Sequence, residues 1–109
     1  MPSYLLQLSY TAEAWAAMIE NPQDRVKAVS KSVEKLGGKV EAFWAAFGEH
    51  DLIGVIKMPD NIAAAAFAVA IAAGGACRNV KTTPLMSVSD AVEAMKKAGK
   101  SGYKPVTKK

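Results

Sequence analysis

Residues 62–73 read IAAAAFAVAIAA, without one polar side chain. A helix made from this stretch is apolar all round, and in water such a helix must be covered on more than one side. Pro59-Asp60-Asn61 precedes it, so Asp60 or Asn61 can cap the first turn, where an acid also meets the positive end of the helix dipole. Gly74-Gly75 follows as a stop. The uncharged run, extended to Ala76, is too short and too rich in alanine to cross a bilayer. Its small residues let neighbouring elements approach closely, and its second apolar face needs cover that a homo-oligomer can supply.

The flanking segments alternate in character. Residues 4–10 (YLLQLSY) have the aromatic content and the length of a strand. Thr11 can cap a helix carrying Trp15, Met18 and Ile19 at helical spacing. Asn21-Pro22 interrupts it, because a residue before proline is pushed out of the α region. The spacing predicts a restart with Pro22 in the first turn of the next helix. Val26, Val29, Val33 and Leu36 then form one apolar stripe opposite Lys27, Lys31, Glu34 and Lys35, and Gly37-Gly38 ends it. Residues 40–47 predict a second strand, with Phe43 and Phe47 on one face and Trp44 on the other. Residues 48–51 connect it to a third, residues 52–58, and strands this close in sequence pair as an antiparallel hairpin. Residues 77–85 predict a fourth strand, whose Pro84 confines that end to an edge or terminus. Ser87 or Ser89 caps a last helix through Ala98, with Val92 and Met95 turned inward, before a polar tail.

The resulting order, β-α-β-β-α-β plus a C-terminal helix, predicts a ferredoxin-like α+β domain with a four-stranded antiparallel sheet and both main helices on one face. The opposite face is then bare, although both faces carry large apolar residues: Phe43 and Phe47 against Trp44, and Ile53 and Val55 against Leu52 and Ile56. A second copy of the chain can cover it, so a homodimer through the sheets, or a higher homo-oligomer, is expected.

The length of 109 residues suits a single domain, residues 1–98, followed by a basic flexible tail, residues 99–109. The formal charge of +4 invites a polyanion as partner until it is divided. From Lys96 onward there are six lysines and no acid; the preceding residues hold 8 bases and 10 acids, a balance of −2. The tail has no interleaved aromatics beyond Tyr103 and is not amphipathic, so neither nucleic acid nor membrane is expected as a partner. A single cysteine, Cys77, excludes an internal disulfide and points to a reducing compartment. The first residues lack a secretory pattern, and a cytoplasmic location is expected.

An ordered set of short pieces carries a resemblance. They are Met1-Pro2 with Tyr4, Tyr10-Thr11, Pro22 with Arg25, Gly37-Gly38, Gly48-Glu49-His50-Asp51, Met58-Pro59-Asp60 and Val80-Lys81-Thr82-Thr83-Pro84-Leu85. Over roughly residues 1–88 the chain resembles the GYD domain family, small bacterial and archaeal proteins built like half of a dimeric α/β barrel. The resemblance implies that fold and an oligomer, and no common activity. It also has a departure: where the family's naming motif ends in Gly-Tyr-Asp-like residues, the aromatic position here is His50.

His50 is the one histidine and the candidate catalytic residue, since an imidazole titrates near neutrality and can take or give a proton. Extended geometry points residues 50 and 51 to opposite faces, so its carboxylate partner would come from elsewhere; the alternative is a polar hairpin residue. Tyr10, Phe43 and Trp44 are the candidate ligand-binding residues, lining an apolar pocket between sheet and helices; the alternative is ordinary core and interface. No ligand spacing for a metal exists, and no cofactor is implied. Cys77 has no histidine-paired motif and reads as a small apolar filler. Gly74-Gly75 follows a helix, whereas a phosphate loop precedes one. Two functions remain: binding, or transforming, a small apolar or aromatic molecule in the sheet–helix cleft, or a non-catalytic assembly or regulatory subunit. Whether the chain is an enzyme stays open.

Overall fold

The computed structural model describes residues 1–107; Lys108 and Lys109, the last residues of the expected tail, lie outside the described residues. The elements are β1 (Ser3–Tyr10), α1 (Ala12–Glu20), α2 (Arg25–Lys35), β2 (Lys39–Ala45), β3 (Leu52–Lys57), α3 (Asn61–Gly74), β4 (Cys77–Leu85) and α4 (Val88–Ala98). They make an α+β chain with one open four-stranded sheet in the order β2-β3-β1-β4, every neighbouring pair antiparallel.

The sheet has one covered and one open face. Tyr4 faces Ile56, Leu6 faces Gly54 and Leu8 faces Leu52 across the β1–β3 pair, and all of these residues are buried. Val33 of α2 and Ala64 and Phe67 of α3 complete the same core, with Val26, Val29, Leu36 and Ile71 packed around it. The alternate residues, Leu5, Gln7, Ile53, Val55 and Trp44, lie on the other face, as the period of two in a strand requires. In β2 the pairing steps from Val40–Ile56 to Ala42–Val55, so Glu41 is an extra, bulged residue; its carboxylate meets Lys57 Nζ at 3.2 Å.

The helix starts follow local chemistry. Thr11 Oγ1 accepts from the Ala14 amide at 3.1 Å, and Asp60 Oδ1 accepts from the Ala63 amide at 2.9 Å. Asp60 is therefore the cap of α3 and Asn61 its first residue; the Asn61 side chain instead accepts from the buried Tyr4 hydroxyl at 2.7 Å. Ser87 caps α4. Gly37 ends the α2 segment with φ +86°, a conformation only glycine takes without strain.

Three expectations need correction. Pro22 stands outside α2, which starts at Arg25 behind an Asp24 cap: Asp24 Oδ1 accepts from the Val26 amide at 2.9 Å. β2 ends at Ala45, so Phe47 is not on the strand but fully exposed in the connection. Val92 and Met95 are not turned inward, because α4 buries none of its residues in the single chain. Within the single chain the apolar α3 buries only the side that carries its own Ala64 and Phe67, while Ile62 and Val69 face solvent. The open sides of α4 and α3 share a consequence. The radius of gyration is 17.7 Å with extents of 59 × 36 × 23 Å, against about 13 Å for a compact chain of this size.

Candidate functional site

The end of the sheet where β1 stops is built by the β2–β3 connection. The Asp51 amide donates to the Leu8 carbonyl at 2.8 Å, and Asp51 Oδ2 accepts from the Tyr10 amide at 2.8 Å. One residue thus ties the connection to the last turn of β1 twice and leaves Tyr10 at a fixed position. The α1–α2 segment then folds over this end, because a helix that returns antiparallel to β1 must begin above the strand's C-terminus. Arg25, the first residue of α2, is placed there.

A cleft of about 260 Å³ results. Its walls carry four aromatic rings, Tyr10, Trp15, Phe43 and Trp44, with Met18 and Leu52 between them. Tyr10 and Trp15 meet edge to face, with ring centroids 5.4 Å apart and planes at 80°, the arrangement the ring quadrupoles favour. Phe43 and Trp44 belong to opposite faces of the sheet, yet both reach the cleft because β2 is an edge strand and the cleft passes round its end. Trp44 forms the rim and is 62% exposed. The charged groups on the wall are Asp24, Arg25 and Asp51. Burial pushes the Tyr10 phenol above its ordinary range, aided by Cys77 and Asp51 and opposed by the Arg25 guanidinium, so it stays a neutral donor at physiological pH. Burial likewise raises the Cys77 thiol, which Arg25 opposes and Asp51 reinforces.

His50 is not on the wall of this cleft. It is 7% exposed and tucked beside the buried Ser9, whose Oγ lies 3.3 Å from His50 Nδ1 and donates to the Glu49 carbonyl at 2.9 Å. A hydroxyl has one proton to give. With that proton on the Glu49 carbonyl, the ring contact needs Nδ1–H as donor, which leaves Nε2 unprotonated in the neutral ring. The structure thus brings Tyr10, Phe43 and Trp44 to one cleft and sets His50 apart, behind the connection.

Trp15, Arg25 and Asp51 join the cleft without having been singled out as ligand-binding in the sequence. The signal for Arg25 was its place at the start of the second helix, which topology puts over the end of the first strand. Among the described residues no cluster of three or more His, Cys, Asp or Glu side chains stands ready to hold a metal ion, and no helix is long and apolar enough to cross a membrane.

The model of the GYD domain family matches residues 4–95 of the 109. The chain belongs to this family. No curated protein and no solved structure gives a match. Every residue of the aromatic cleft falls inside the matched region, so the cleft is part of the GYD domain and not of the tail beyond it.

Proposed function

We propose that the protein binds a small aromatic or apolar molecule in the cleft at the end of the sheet, and does so as a homo-oligomer. The observation that carries the binding reading is the convergence of Tyr10, Trp15, Phe43 and Trp44 on one opening, with Arg25 and Asp51 as polar points that can orient a ligand. The cleft of about 260 Å³ exceeds the roughly 150 Å³ that holds a benzene. Both tryptophans of the chain are on its wall, so intrinsic emission reports occupancy directly.

Titration with indole and with p-cresol, followed by tryptophan emission and by melting temperature, tests this. A saturable emission change and a raised melting temperature are expected, because a ligand that binds only the folded state stabilises it. Phe43→Ala should weaken binding about tenfold through lost ring contact. His50→Ala should leave affinity unchanged, since the ring is off the wall, and any loss of turnover in that variant would give His50 a catalytic part. Absence of both responses for every aromatic tried would remove the binding reading.

A second observation favours assembly, whether or not a ligand is bound. Leu5, Ile53 and Val55 on the open sheet face are only half-buried within one chain, and Trp44 on that face and Val88, Val92 and Met95 on α4 are exposed. The strand order β2-β3-β1-β4 supports the ferredoxin-like reading, with two helices in the first crossover, and such a sheet pairs face to face as a dimeric α/β barrel. If assembly is the whole function, the protein is a regulatory or structural subunit and the cleft fills on association. The single free cysteine supports a cytoplasmic location.

A further inference from the structure

A second chamber of about 250 Å³ lies on the far side of Tyr10, between α2, α3 and the start of β4. Its chemistry differs from that of the aromatic cleft. Leu8, Val29 and Ile71 give it aliphatic walls, and Tyr10 is the one aromatic ring among its lining residues. Arg25 is also the one charged group on that lining. Asp24 and Asp51 line the aromatic cleft instead, and each carboxylate is engaged there, with the Val26 and Tyr10 amides respectively.

We propose that this chamber binds a medium-chain aliphatic monocarboxylate, with its hydrocarbon tail among Leu8, Val29 and Ile71 and its carboxylate on Arg25. Several observations carry this. Arg25 is exposed, so it stands at the mouth of the chamber and not at its bottom. One of its terminal nitrogens, Nη1, donates to Gln23 Oε1 at 3.0 Å, and a guanidinium has five N–H donors in all, which leaves several for a carboxylate. The Tyr10 phenol and the Cys77 thiol, the other polar side chains on the lining, carry no charge at neutral pH, and the Asp51 charge that reaches both is outweighed at each by Arg25. Size sets the length: in proportion to the roughly 150 Å³ that holds the six carbons of benzene, 250 Å³ takes about ten non-hydrogen atoms. Octanoate has that size. An aromatic acid would forgo ring contacts on three walls, and a phosphate would bring a second negative charge that the single guanidinium of the lining leaves unmatched.

Calorimetric titration of the full chain with octanoate, octan-1-ol, octylamine and acetate tests the proposal. Octanoate should bind saturably, octanol about fivefold more weakly, the most an exposed ion pair contributes. Octylamine should bind more weakly still, and acetate not at all. Arg25→Gln should bring octanoate down to the level of octanol. Ile71→Trp should abolish octanoate binding by filling the chamber while indole still binds the aromatic cleft. If that variant does not fold, Ala70→Phe blocks the same chamber from its rim. Equal affinity for octanoate and octanol in the unaltered chain would overturn the proposal, and so would undiminished octanoate binding once the chamber is filled. Neither result bears on the aromatic cleft, which the indole titration reads separately.

Discussion

Gly54 shows how a single residue shapes the cleft from below. It lies opposite Phe43 across the β2–β3 pair, and a methyl group on it would stand 2.4 Å from Phe43 Cδ1. The ring lies directly over the glycine, so Gly54→Ala must push it from its place. A loss of about 1–3 kcal/mol is expected, the usual cost of overpacking, together with weaker indole binding. Urea unfolding and emission titration of the same preparation check both. Tyr10 and Cys77 add a pH dependence. Each has its pKa raised by the fold, so the folded chain keeps these protons to higher pH than the unfolded one. Their stabilising contributions are complete below the unfolded values, about 8.5 for a thiol and about 10 for a phenol, and are lost as pH rises through the folded values. Urea unfolding across the alkaline range should show stability falling with pH in the unaltered chain, and falling less steeply in Tyr10→Phe and Cys77→Ala. Tyr10, Phe43 and Trp44 were legible as site candidates because aromatic residues at strand ends announce themselves. Arg25 and Asp51 were not, since a charge at a helix start and an acid in a turn have local explanations that hide a distant role.

At the level of elements, the strands and helix caps were written plainly in the sequence. The fourth strand has the expected bounds, and Thr11 and Asp60 cap the helices they precede. Asp60→Ala removes the acceptor for the Ala63 amide and should cost about 1 kcal/mol, read from the urea midpoint, with α3 still formed. The readings that failed concern burial and not helix or strand type. Periodicity marks which face of α4 is apolar, but it does not say what covers that face, and among the described residues nothing buries it. Phe47 failed for a related reason: an aromatic after two alanines continues the strand pattern, while the Ala46 amide, donating to the Asp51 carbonyl at 2.9 Å, already closes the hairpin before it.

The whole molecule is long for its mass, and its uncovered apolar surface is spread over α4, the outer side of α3, α1 and the Trp44 end of the open sheet face. Val55→Lys places a charge on that open face without entering the core under α2 and α3. The variant should keep its circular dichroism and lose assembly, so that light scattering after gel filtration gives the mass of one chain. An unchanged particle mass would place the contact elsewhere. The edges of the sheet behave differently from its face. One edge strand carries the bulge at Glu41 beside Lys39, and the other carries Pro84 with Arg78 and Lys81. A bulge, a proline and charged side chains each hinder a further strand from pairing there. If copies of this chain assemble as proposed, such edges favour meeting flat against flat over side by side. Flat contact uses up the surface it joins, so an assembly of that kind would close at a fixed size, where pairing along the rims would offer every newcomer another rim and no reason to stop.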